Sequence, residues 1–140
     1  MISVIVPACN AEATLGDCLA ALQAQSLSQG QYEVIVVDDG STDRTAEIAR
    51  RYGVRLIGQP NAGPAAARNR GVQAARGDIL LFTDADCAPA PDWIERLTEP
   101  FRASEVAGAK GVYRTRQRAL VARFVQLEYE DKYARMSGCD

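Results

Sequence analysis

Strand-like runs alternate with helix-like stretches along this chain, and that alternation constrains the fold more than any single motif. Residues 2–6, Ile-Ser-Val-Ile-Val, read as a first strand stopped by Pro7. Asn10 is placed to cap a helix whose Leu15, Cys18, Leu19 and Leu22 recur at three- and four-residue steps, the spacing of one buried face. Gly30 closes that unit, and residues 32–37 form a second strand rich in β-branched side chains. Asp43 is the expected cap of a helix reaching Tyr52 and closed by Gly53, followed by a short strand over 54–57. After the Pro- and Gly-containing loop 59–64, Pro64 opens a helix of small residues that ends at Gly77. A strand over 79–83, a helix over 92–103 presenting Trp93, Ile94, Leu97 and Phe101, a fifth strand over 106–113 and a long helix over 117–136 complete the pattern. Alternating units of this length imply an α/β fold, with a mostly parallel central sheet, right-handed crossovers and helices on both faces. At 140 residues the expectation is a single domain, 1–140.

The apolar run 79–82 reads as a strand buried on both faces, and it delivers Thr83-Asp84-Ala85-Asp86 at its carboxyl end. Open α/β sheets place their ligands at that edge, and two acids without a basic neighbour in sequence suit a divalent cation. The alternative is an acidic turn that caps the next helix. The same rim gathers residues 7–10, residues 38–42 and the region around Arg68. Three acids, an arginine and backbone amides together fit a nucleoside diphosphate, with Asp84 and Asp86 holding the metal and Arg68 adding a fork of donors. Asp39 is placed to accept a hydrogen bond from a base N–H, which favours uracil. Arg68 read as a surface arginine pairing with an acid, and Asp38-Asp39-Gly40 read as a plain turn, stay open as alternatives. Against the turn, two adjacent acids repel unless a ligand or cation offsets them.

Other classes are excluded by composition. A net charge of −2, with 24% charged and 47% hydrophobic residues, gives a soluble balance and no basic footprint for nucleic acid. Met1 leads straight into the first strand, with no signal-like segment and no membrane-spanning run, so a cytoplasmic location is expected. The chain has no histidine, and Cys9, Cys18, Cys87 and Cys139 show no C-x-x-C spacing. Usual zinc sites and Ser-His or Cys-His nucleophile pairs are thereby ruled out, leaving reduced thiols with Cys18 in the core.

Ile5-Val6-Pro7, Asn10-Ala11-Glu12, the Val37-to-Asp43 stretch VDDGSTD, the Gly63-to-Gly71 stretch GPAAARNRG, and Asp84-Ala85-Asp86 with Pro91-Asp92-Trp93 resemble the family 2 glycosyltransferases of the GT-A fold. Each motif alone is weak, but in this order and spacing they are specific. The resemblance implies that Pro7, Ala8, Asn10 and Glu12 lie along the nucleotide pocket, that Asp39 reads the uracil of a UDP-sugar with Asp38 beside it, and that Arg68 contacts the nucleotide. It also implies that Asp86 ligates Mn2+ or Mg2+ directly while Asp84 supports ribose and metal. The implied reaction is inverting sugar transfer to an unknown saccharide or lipid-linked acceptor. A separate carboxylate would deprotonate the acceptor hydroxyl.

Family members usually continue into an acceptor-binding segment carrying that base, so the chain reads as the donor-binding part of a longer enzyme. Glu128, Glu130 and Asp131 sit mid-helix, where a solvated face is the plain reading, and none is assigned as base. The wide apolar face of Leu120, Val121, Phe124, Val125, Leu127, Tyr129 and Tyr133 predicts self-association through that last helix. Two rivals remain. A sugar nucleotidyltransferase would call for a glycine-rich basic loop after the first strand, where Pro7-Ala8-Cys9-Asn10 stands instead. A non-catalytic nucleotide-sugar-binding module is compatible with every residue.

Overall fold

The structure, a computed structural model, describes residues 1–103 and 105–112. The chain divides into two compact units, Met1–Val106 and Ala107–Asp140, and the first holds all the regular elements described below. Its centre is a four-stranded parallel sheet of β1 (Ile2–Ala8), β2 (Tyr32–Asp39), β3 (Arg55–Gln59) and β4 (Ile79–Phe82), in the order β3-β2-β1-β4. Four helices accompany it: α1 (Leu15–Gln23), α2 (Thr45–Arg51), α3 (Pro64–Ala74) and α4 (Trp93–Thr98).

The alternation of side chains along each strand divides the core in two. Val4, Val6, Ala8, Val36 and Leu81 pack with Leu15, Cys18, Leu19 and Leu22 of α1, Ala49 of α2 and Ile94 of α4. On the opposite face Ile35 and Val37 meet Ala67 of α3. Helices therefore cover both faces, as the sequence pattern predicts. Gly71 lets α3 lie directly on β1, since a Cβ there would collide with the Ile5 side chain.

Several boundaries differ from expectation, each for a physical reason. Pro7 does not stop β1, which continues to Ala8 with Pro7 opposite Val37. Because β4 pairs only with Ile2 to Ile5, Pro7 stands where β1 has a neighbour on one side, and its missing N–H costs no ladder bond there. The expected fully buried strand at 79–83 is instead an edge strand among the described residues, with Ile79 and Leu80 half-buried and Phe82 43% exposed. The helix expected over 92–103 is α only to Thr98 and then tightens to a 3-10 turn over Glu99–Arg102, where Pro100 cannot supply an α-helical N–H. Residues 106–112 form no strand. The expected helix over 117–136, and with it the self-association surface and the acids at 128, 130 and 131, lies outside the described residues. Among the described residues no helix is long and apolar enough to cross a membrane.

Candidate functional site

The carboxyl ends of β1, β2 and β4 open on one rim, and three loops braced against one another build it. Asn10 does not cap α1, which starts four residues later than a cap there would allow and has no side-chain cap at all. It adopts φ 50° instead, and its side-chain oxygen accepts the Thr42 N–H at 2.9 Å while its own N–H donates to Ser41 Oγ at 2.9 Å. The Ala11 N–H donates to Thr45 Oγ1, the Glu12 N–H to Asp43, and Glu12 accepts the Arg44 N–H and pairs with its guanidinium at 3.1 Å. Asn10 and Glu12 thus join the β1 loop to the β2–α2 loop. The N-cap residue of α2 is Arg44 rather than the expected Asp43, which stands one residue earlier and accepts the Thr45 N–H and hydroxyl in a local turn.

Asp38 and Asp39 separate because successive strand residues face opposite ways. Asp38 accepts the Ser41 N–H at 3.1 Å. Asp39, 3% exposed, accepts Gln59 Nε2 at 2.7 Å and the Ala62 N–H at 2.8 Å on Oδ1, and the Gly63 N–H at 2.8 Å on Oδ2. Backbone and amide donors therefore already offset part of the repulsion expected between the adjacent acids. The Gln59 amide first, then the Ala62 and Gly63 N–H groups, hold the Asp39 carboxyl below its usual range against the opposing effect of burial. Through Ala62 and Gly63 the same carboxylate fixes the chain as it enters α3, whose N-cap residue is a glycine at φ 90° with no side-chain cap of its own. Gly40, at φ 73°, permits the close approach of the β3–α3 loop, because a Cβ there would lie 2.7 Å from the Asn61 nitrogen.

Arg68 projects from α3 to Asp84, with Nη2 2.7 Å from Oδ1. Pro7, Ala8, Cys9, Asp39, Asn61, Gly63, Pro64, Ala67, Arg68 and Asp84 line one cleft of about 270 Å³. A second cleft of similar size shares Pro7, Ala8 and Cys9 and is completed by Asn10, Ala11, Thr14, Ala85 and Asp86. Asp39, Arg68 and Asp84 therefore converge on one cleft, Asp86 faces the adjoining one, and Glu12 lines neither.

Asp84, Asp86 and Cys87 present ligand atoms within 4.8 Å of one another. The two carboxylates suit an oxygen-seeking divalent cation, while burial and the neighbouring Asp86 push the Cys87 thiol up and keep it protonated. Cys87 Sγ donates to Asp86 Oδ1 at 3.6 Å, and the turn that carries it is closed by the Cys87 N–H on the Asp84 carbonyl at 3.0 Å. Cys18 lies beneath, its thiol on the Asp84 carbonyl; burial, with Cys87, Asp86 and Asp84 nearby, pushes it up to about 12. The loop after the acids is pinned by buried Gln25, which accepts the Ile94 N–H at 3.0 Å and donates to the Ala90 carbonyl at 2.8 Å. Sequence reasoning placed Cys9 only within the 7–10 rim segment and missed Asn61 and Cys87. Proximity to Asp86 was the one available signal, and only for Cys87.

The parallel sheet flanked by helices, with paired acids at the end of β4, defines an open α/β domain with its candidate site at the carboxyl rim of the strands. A family model described as Glycosyl transferase family 2 matches residues 3–137. The glycosyltransferase AglE of Haloferax volcanii is 42% identical over 101 residues, covering 68% of this chain and 33% of that protein. Glucosyl-3-phosphoglycerate synthase from Mycobacterium tuberculosis, crystallised with Mn2+, UDP and glucosyl-3-phosphoglycerate, superposes with a TM-score of 0.63 at 35% identity, covering 72% of this chain and 39% of that one. A mannosyltransferase from Pyrobaculum calidifontis, in complex with GDP-Man and Mn2+, gives a TM-score of 0.58 at 32% identity over 64% of this chain and 29% of that one. The chain belongs to the family 2 glycosyltransferases, with the GT-A architecture of its structural neighbours. It spans about a third of the length of the curated relatives it matches.

Proposed function

We propose that this chain forms the donor site of an inverting, cation-dependent glycosyltransferase that takes its sugar from a UDP-sugar. The observation that carries the reading is the convergence of Asp39, Arg68 and Asp84 on one cleft, with Asp86 and Cys87 beside it. Asp39 orients the base. A carboxylate has about four acceptor sites, and the three donors from the β3–α3 loop leave one on Oδ2 for the uracil N3–H. Pro7 and Ala8 line the floor, and Arg68 binds the diphosphate through its fork of donors. Asp84 and Asp86 would hold Mn2+ or Mg2+, both of which take carboxylate and water oxygens. When bound, the cation supplies Lewis-acid stabilisation of the charge left on the departing diphosphate. Asn10 and Glu12 act by bracing the loops under the nucleotide.

The acceptor, a saccharide or a lipid-linked group, and the base that deprotonates it carry no residue assignment. A neighbour's Mn2+ and UDP support the donor and cation choice, while another's GDP-Man makes base identity the point to test. Isothermal calorimetry does so. UDP is expected to bind in Mn2+ and to lose most of its affinity in EDTA, because bare diphosphate meets Asp84 and Asp86 as like charges. Equal affinity in both buffers would overturn the cation assignment, and GDP binding as tightly as UDP would overturn the base assignment.

A further inference from the structure

Arg68 and Asp84 hold each other at 2.7 Å, with side chains 39% and 47% exposed. In the donor-site reading each is required elsewhere, Arg68 by the diphosphate and Asp84 by the cation. A cation arriving alone meets a guanidinium already seated on one of its two carboxylates. A diphosphate arriving alone meets Asp84 and Asp86 as bare like charges. Only when both arrive do all the charges find opposite partners, with Arg68 on the diphosphate and Asp84 on the cation.

We propose that Arg68 couples the two ligands, occupying Asp84 until a nucleoside diphosphate draws it off and frees that carboxylate for the divalent cation. The exchange is a side-chain rotation, because α3 is fixed at its start by the bonds from Ala62 and Gly63 to Asp39 and along its length by Gly71 against Ile5. It rests on the donor-site reading and adds an order to it. Arg68 lowers cation affinity in the empty site, and the diphosphate lifts that penalty in the loaded one. A plain surface ion pair would give the penalty without the relief, and a plain binding arginine neither. Coupling of this kind is reciprocal, so the factor by which UDP tightens the cation is the factor by which the cation tightens UDP.

The test is Mn2+ titration followed by the paramagnetic resonance of free Mn2+, with and without UDP, on the full chain and on Arg68→Gln and Arg70→Gln. Arg70 is exposed, lies outside the cleft and gives the same change in net charge. Without UDP, Arg68→Gln is expected to bind Mn2+ about two- to fivefold more tightly than wild type, the range of an exposed ion pair. The ratio of Mn2+ affinities with and without UDP should fall by at least that factor, and Arg70→Gln should keep the wild-type ratio. Arg68→Met must repeat the result, since a new bond from the Gln amide could mimic it. An unchanged ratio in Arg68→Gln, opposite signs in the two Arg68 variants, or equal shifts in Arg68→Gln and Arg70→Gln overturn the proposal. If wild type takes up no Mn2+ with or without UDP, the donor-site reading itself falls and the coupling with it.

Discussion

Asp39 organises a loop and, in the proposed donor site, also reads the base, and substitution separates the two. Its carboxylate organises Gln59, Ala62 and Gly63, so Asp39→Ala should lower the melting temperature and weaken every nucleotide. Base reading shows only in the ratio of UDP to GDP affinity, which is expected to flatten by about ten- to a hundredfold. A lowered melting temperature with an intact ratio would leave Asp39 a loop organiser and nothing more. The acid dependence follows from its depressed pKa. The folded value lies below the usual 3.8, so the stabilisation is complete above that pH and is lost as pH falls through the lower folded value. Melting curves should therefore show this loop's contribution disappearing only under strongly acid conditions, and the step should be absent in Asp39→Asn. The paired acids divide similarly. Asp84 is partly neutralised by Arg68, whereas Asp86 is exposed and meets only the Cys87 thiol among its described bonds. Asp86→Ala should cost more Mn2+ affinity than Asp84→Ala, measured by the same titration; the reverse order would show that Asp84 carries the cation.

Among the elements, α3 is the one that the site depends on most, because it positions Arg68 and is itself positioned by β1 and Asp39. Gly71→Ala would push a methyl into Ile5 and should cost about 1–3 kcal/mol by overpacking, read as a lower denaturant midpoint. A midpoint unchanged from wild type would mean that α3 has slack on the sheet. The small residues of 63–71 made this close packing legible in sequence, and Pro64 marked the first turn correctly. Strand existence was legible too, from β-branched runs bounded by turn residues. Edge or centre was not, because the apolar run 79–82 looks the same whether one neighbour or two flank it, and pairing is decided by partners distant in sequence. Asn10 illustrates the same limit: its capping chemistry was read correctly as side chain to backbone N–H, but the N–H belongs to Thr42, 32 residues away. Pro100 was a local signal that a helix drawn on apolar spacing alone passed over.

For the whole molecule, every residue assigned to the donor site falls within the compact unit Met1–Val106. That unit also contains the sheet and both described core clusters, so the donor site and its support share one set of buried contacts. A chain ended after Val106 is therefore expected to unfold cooperatively and to bind UDP with Mn2+ within about threefold of the 140-residue chain, a difference of under 1 kcal/mol. Its rim carboxylates are all engaged: Asp38 with the Ser41 N–H, Asp39 with the β3–α3 loop, Asp84 with Arg68 and Asp86 with the Cys87 thiol. No base is assigned among them, so the shortened chain is expected to bind donor and to release UDP from it only slowly. Calorimetry and a UDP-release assay on the two lengths make the comparison. Loss of cooperative unfolding or of Mn2+-dependent UDP binding on shortening would show that Ala107–Asp140 is part of the donor domain. Rapid UDP release by the shortened chain would mean that one of the four rim acids leaves its partner during turnover and acts as the base.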